Sequence, residues 1–257
     1  MNNNPIGVFD SGIGGLNVLK SLIEELPNED FIYVADTLNC PYGVKTKEEI
    51  KGYVDGISSY LINQKCKAIV IACNTATAQA THLFDLEDVL VLGVIYPTAN
   101  DALNGSKKVA VLATDSTISS GVYQEILLDA GKEVYPVKAS LFVEPIERGE
   151  IGTSYSYELV RNHLAHLVDK DIDTVIAGCT HFALYEKEIQ TALPSARVVN
   201  SGPATSKELH KLLQKRNLLS SKSEGKVYLK TTLSEDALLE QVKIFDLKYE
   251  SIKKINI

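Results

Sequence analysis

The chain has 257 residues, of which 45% are apolar and 23% charged, a globular composition with room for one large domain or two of ordinary size. Its formal charge of −7 argues against a general nucleic-acid surface or an anionic-membrane face, both of which need a basic patch, and favours a small-molecule partner. No apolar run approaches the roughly 20 residues that span a bilayer, and Met1-Asn2-Asn3-Asn4-Pro5 lacks the basic and apolar regions of a secretion signal.

In chain order, the apolar patterning predicts a strand at 6–9, a Gly-rich turn, a helix at 16–25, a strand at 31–35 and a long helix at 47–63. A strand at 68–72, a helix from about Thr75 and a strand at 89–95 complete the first half. The second half predicts a strand at 109–113, a polar turn, a helix at 120–129, a strand at 133–136, a helix at 155–169, a strand at 174–177, a helix, and a strand at 197–200. The order repeats strand for strand. Alternating strands and helices imply parallel sheets, so the expected fold is α/β with two pseudo-symmetric lobes and a cleft between their strand C-termini. The predicted boundaries are 1–98 plus 207–257 for the first lobe and 99–206 for the second. The tail, with a strand at 226–229 and a helix at 234–245, has no counterpart in the repeat and is expected on the first lobe. The few residues before Ile6 predict no N-terminal regulatory segment.

Of four cysteines, Cys40, Cys66, Cys73 and Cys179, none forms a C-x-x-C pair or a disulfide framework, so reduced thiols in the cytoplasm, without zinc, are expected. Cys73 and Cys179 each end the third strand of a half, in Ala72-Cys73-Asn74-Thr75 and Gly178-Cys179-Thr180-His181, and lie 106 positions apart (179 − 73). A single buried cysteine reads most simply as a small hydrophobe. Two in equivalent settings, each followed by hydrogen-bonding residues at a helix start, read instead as paired acid/base groups serving one substrate. Cys66 reads as packing, and Cys40 as lining the loop before Pro41-Tyr42-Gly43. His82, His163, His166 and His210 read as solvated or packed, whereas His181 stands two residues from a candidate thiol. The turn Asp10-Ser11-Gly12-Ile13-Gly14-Gly15 is not a dinucleotide loop, because Asn17 stands where the last glycine is required, and no P-loop lysine follows. Its free N–H groups suit a carboxylate.

The segments 8–16, Ala35-Asp36-Thr37, Pro41-Tyr42-Gly43, 72–76, Gly93-Val94-Ile95 and 178–181, in this order, resemble those of the glutamate racemases, within the cofactor-independent aspartate/glutamate racemase superfamily. The resemblance implies two pseudo-symmetric α/β domains and interconversion of L- and D-glutamate for peptidoglycan, with no pyridoxal phosphate, nicotinamide or metal. It also implies a homodimer. Carried over by motif, Cys73 and Cys179 are the acid/base pair, Asp10 supports the first thiol, and Glu147 and His181 support the second. Asp10, Ser11, Tyr42, Gly43, Asn74, Thr75, Thr180 and His181 hold the amino acid. Glu147 aligns through Ile146-Glu147-Arg148-Gly149, with Glu144 as its neighbour in the same segment. The chain departs from the family pattern at Leu38-Asn39-Cys40, Tyr96, Thr98 and Ala183. Two other readings are an aspartate or broader acidic amino-acid racemase, which the histidine rather than glutamate after Gly-Cys-Thr disfavours, and a silent amino-acid-binding relative.

Overall fold

A computed structural model describes all 257 residues, which form two units, Met1–Val94 with Gly202–Ile257, and Ile95–Ser201. The first unit runs β1 (Ile6–Asp10), α1 (Gly15–Glu25), β2 (Phe31–Ala35), α2 (Lys47–Asn63), β3 (Ala68–Ile71), α3 (Asn74–Thr77) and β4 (Leu90–Gly93). The second has α4 (Ile95–Leu103), β5 (Lys108–Ala113), α5 (Asp115–Ser120), α6 (Val122–Asp129), β6 (Glu133–Lys138), α7 (Val143–Glu147), α8 (Ser154–Leu164), β7 (Thr174–Gly178), α9 (Glu186–Ala192) and β8 (Arg197–Asn200). Then α10 (Ser201–Lys215), β9 (Val227–Thr231), α11 (Glu235–Phe245) and β10 (Ser251–Lys254) follow.

Both sheets are parallel. Their orders are β10-β9-β2-β1-β3-β4 and β6-β5-β7-β8, so the four-strand pattern 2-1-3-4 occurs twice, as the sequence repeat predicts. In such a sheet the connections leave the first strand in opposite directions, which opens a crevice at the C-terminal ends of the first and third strands. Asp10 ends β1 and Cys73 follows β3. Thr114 follows β5 and Cys179 follows β7. The fold thus places both cysteines at switch points.

Helix α2 is written for its place. Its capping box pairs Thr46 with Glu49, and Ile50, Val54, Ile57 and Leu61, spaced at one helical face, pack on Phe9, Val34, Ile69 and Ile71. Each such fully buried side chain contributes roughly 1.5–3 kcal/mol. In the second unit, Val160 and Leu164 of α8 cover Ala110, Leu112, Val175 and Ala177, and Phe142, Phe182 and Tyr185 meet edge to face beside them.

Several elements differ from their predicted form. The helix expected at 120–129 is two helices, because Thr114 caps α5 and Gly121, at φ +76°, breaks the path before α6. The strand expected to reach Ile95 stops at Gly93, and α4 begins at once and packs on α6 and β7. The second unit therefore starts at Ile95 instead of 99. The unit ends at Ser201, because α10 lies against α1 from Gly202 on, where a Cβ would come within 2.4 Å of Ser21 Oγ. The tail adds β9 beside β2 and β10 beyond it, the latter an edge strand with exposed lysines that the apolar pattern does not mark.

At the opposite, N-terminal end of β3, Lys67 Nζ is buried 2.5 Å from Glu29 Oε2 and also donates to the carbonyls of Asn2 and Leu218. Glu29 in turn accepts the Ser220 N–H at 2.7 Å. Removing the ammonium leaves a buried carboxylate uncompensated, so Lys67→Ala is expected to cost about 3–5 kcal/mol, read as a lower midpoint in urea unfolding.

Candidate active site

The first cluster is built at the ends of β1 and β3. Asp10, fully buried, turns its carboxylate back to accept the Gly12 N–H at 3.0 Å, which closes the turn onto α1. Gly15 is required there, since a Cβ would lie 2.4 Å from that of Asp10 and 2.8 Å from the Tyr33 hydroxyl. Tyr33 donates to the Gly12 carbonyl at 2.8 Å, and burial with the nearby Asp10 and Cys73 charges holds its phenol well above the usual range. It is a fixed donor under the turn.

Cys73 is itself the N-cap of α3: its Sγ accepts the Ala76 N–H at 3.4 Å and lies 3.6 Å from Ser11 Oγ, to which its thiol donates. A sulfur met by a helix-start N–H and a hydroxyl can be stabilised as an anion or present its proton. Asn74 and Thr75 follow it, buried in the first turn of α3. The predicted helix is present here, although only four residues long.

The Pro41-Tyr42-Gly43 segment forms a short 3-10 turn. The Tyr42 hydroxyl donates to Asp36 Oδ2 at 2.6 Å, and its ring stacks on Tyr53 with centroids 5.5 Å apart. Its phenol proton is thereby committed to Asp36.

The second cluster follows β7. Cys179 Sγ is 3.8 Å from His181 Nδ1, and on the other side of the imidazole Nε2 lies 3.3 Å from Glu147 Oε1, at the end of α7. The imidazole thus stands between the thiol and the carboxylate, one ring nitrogen toward each. Glu144 is elsewhere: exposed, it pairs with Arg148 at 2.7 Å, so of the two neighbouring glutamates only Glu147 meets His181. Thr180 and His181 are both buried in a 3-10 segment spanning Thr180–Tyr185. The other histidines lie apart from this cluster: His82 pairs with Asp55 and His210 with Glu25 on the surface, His163 bonds the Lys138 carbonyl, and His166 is exposed.

Residues that the sequence does not mark support both clusters. Tyr33 reads as an ordinary core position of β2, and nothing local marks its partner 21 residues earlier. Tyr123, fully buried on α6, hydrogen-bonds Thr98 and Ser201 and is close enough to Cys179 to feel its charge, while burial pushes its phenol strongly upward. Departure of position 98 from the family pattern is the one sequence sign of that cluster. Cys66 packs among Ile57, Leu61 and Ile69, where burial pushes its thiol up to about 12.

Two parallel α/β units of one topology, each delivering a partnered thiol at its switch point, define a cysteine-bearing enzyme of duplicated architecture. The profile of the Asp/Glu/Hydantoin racemase family matches residues 6–209, and the chain belongs to that family; it is a racemase, an isomerase. A curated glutamate racemase of Aquifex aeolicus is 42% identical over 207 residues, covering 79% of this chain and 81% of its own. The crystal structure of a glutamate racemase isoform from Bacillus anthracis matches with TM-score 0.94 at 32% identity, covering 100% of this chain and 99% of that one. That of the Francisella tularensis glutamate racemase in complex with D-glutamate matches with TM-score 0.93 at 32% identity, covering 100% and 98%. An aspartate racemase from Picrophilus torridus, at 18% identity and TM-score 0.63 over 84% of this chain and 99% of its own, shares the fold alone. No helix is long and apolar enough to cross a membrane.

Proposed function

We propose that this racemase interconverts L- and D-glutamate by two-base proton exchange, with one thiolate removing the α-proton while the other thiol delivers a proton to the opposite face. The observation that carries the reading is the duplicated Cys: each 2-1-3-4 sheet ends at its switch point in a thiol with its own hydrogen-bonding partners. Symmetric chemistry at one carbon calls for two such groups.

In this scheme Cys73 works with the Ala76 N–H and the Ser11 hydroxyl beside it, and Asp10 holds the turn that places Ser11. Cys179 works with His181, which can pass or accept a proton while Glu147 steadies the imidazole. The α-proton of an amino acid is a very weak acid, so developing charge on the substrate carboxylate needs fixed donors. Ser11, Asn74, Thr75 and Thr180 are assigned to that task, and the backbone of Tyr42-Gly43 to holding the substrate in place. The same reading puts the enzyme in the cytoplasm as a homodimer, supplying D-glutamate for peptidoglycan, with no pyridoxal phosphate, nicotinamide or metal.

The test is the ellipticity of D- and L-glutamate followed at a fixed wavelength with dialysed, chelator-treated enzyme. Either enantiomer is expected to decay to the racemate at undiminished rate. A rate restored only by an added cofactor or metal ion would refute the two-base scheme. Faster turnover of aspartate than of glutamate would transfer the assignment to the aspartate enzymes, and a flat signal with every acidic amino acid would leave a binding protein.

A further inference from the structure

Next to the proposed substrate turn lies an arrangement that the proton exchange does not use. Asp36, just after β2, is 2% exposed, yet its carboxylate meets only neutral donors: Asn39 Nδ2 at 3.1 and 3.0 Å, the Tyr42 hydroxyl at 2.6 Å and the Thr232 hydroxyl at 2.8 Å. A buried carboxylate is tolerable only with its lone pairs filled, and each O–H to carboxylate bond is of the stronger, charge-assisted kind. The donors come from places far apart in the chain.

Thr232 follows β9, 196 positions after Asp36. Its hydroxyl oxygen also accepts the Leu38 N–H at 3.0 Å, and its own N–H donates to the Ala35 carbonyl at 3.2 Å. The preceding Thr231 hydroxyl lies 2.9 Å from that of Thr37. The C-terminal segment therefore grips the 35–38 stretch at three points and reaches Tyr42 through one carboxylate.

We infer that Thr232 is a positioning residue of the racemase: through Asp36 it fixes Tyr42 and so the backbone of the Tyr42-Gly43 turn that the substrate meets. This rests on the glutamate-racemase reading given above. A turn that holds groups common to both enantiomers contributes equally to ground and transition states, so loosening it raises KM and leaves kcat in place. The thiols behave differently, since each discriminates between enantiomers.

The experiment compares Thr232→Val with Thr232→Ser, measuring kcat and KM for L- and D-glutamate together with the thermal midpoint. Thr232→Val is expected to raise KM about tenfold for both enantiomers, the scale of one hydrogen bond to a charged group, with kcat within about twofold. Thr232→Ser, which keeps the hydroxyl, restores the wild-type KM. An unchanged KM in a folded Thr232→Val, or an equal rise in Thr232→Ser, overturns the inference, the second because shape and not the hydroxyl would be responsible. Should Thr232→Val not fold, Asn39→Ala on the half-exposed rim decides the matter in the same way: a matched KM rise supports the carboxylate link, and none overturns it. Wild-type enzyme inactive on glutamate removes both this inference and the reading beneath it, whereas active wild type with a normal KM in Thr232→Val removes the inference alone.

Discussion

Cys73→Ala and Cys179→Ala are each expected to lower racemisation of both glutamate enantiomers by at least about 10³-fold, within the range general acid–base catalysis supplies. Racemisation needs a base on one face and an acid on the other, so loss of either thiol blocks both directions. The fold should persist. Trimming a cysteine costs on the order of 1 kcal/mol, to which Cys73→Ala adds the loss of the sulfur that caps α3. Cys66→Ala is the control: its thiol packs among Ile57, Leu61 and Ile69, and burial keeps it protonated, so racemisation should be unchanged. Polarimetric rates with circular dichroism of each variant check the prediction. Substantial activity in either Cys73→Ala or Cys179→Ala would exclude that cysteine from the mechanism.

The second large effect is stereochemical. The resemblance to the glutamate racemases assigns Cys73 to proton abstraction from D-glutamate and Cys179 to abstraction from L-glutamate. A serine hydroxyl can still donate a proton but yields an alkoxide far less readily than a thiol yields a thiolate, so the base role suffers more than the acid role. Cys73→Ser should therefore slow α-proton loss from D-glutamate more than from L-glutamate, and Cys179→Ser the reverse. The unlike surroundings of the thiols bear on the size of the effect. Cys179 has an imidazole at 3.8 Å that can take up a proton, whereas Cys73 has a hydroxyl and a backbone N–H. In deuterated water, wild-type enzyme should put solvent deuterium on the product α-carbon within the first turnover. Equal slowing of both enantiomers in both serine variants would argue against one face per thiol, and product retaining the original hydrogen would point to a single shuttling base.

The placement of the two thiols at strand ends is legible in the amino-acid sequence because it is local. An apolar run that stops at Cys73-Asn74-Thr75 or Cys179-Thr180-His181 fixes a strand, its end and the residue delivered there. A repeat of such runs in one order is enough to imply two parallel sheets of one topology. The long helix at 47–63 is legible for the same reason, since its cap and its apolar spacing are both written within a few turns. By contrast, the break at Gly121 needs the positive φ that the tertiary path imposes, and β10 needs an exposed sheet edge on which a short lysine-bearing segment can lie.

Local pattern dictates which residue types stand at the ends of strands; which side chains those residues meet depends on tertiary packing. Glu144 and Glu147 are three positions apart on one short helix, and only the packing of α7 turns the second toward His181 while the first pairs with Arg148 in solvent. Tyr42 carries the family motif, but its hydroxyl is bound to Asp36, and Thr232 reaches that carboxylate from 196 positions away. Pairings of that kind leave no periodicity or spacing in the chain. They exist only because β9 adds to the edge of β2, bringing the tail beside the loop at no cost in local pattern and with donors to fill the buried lone pairs.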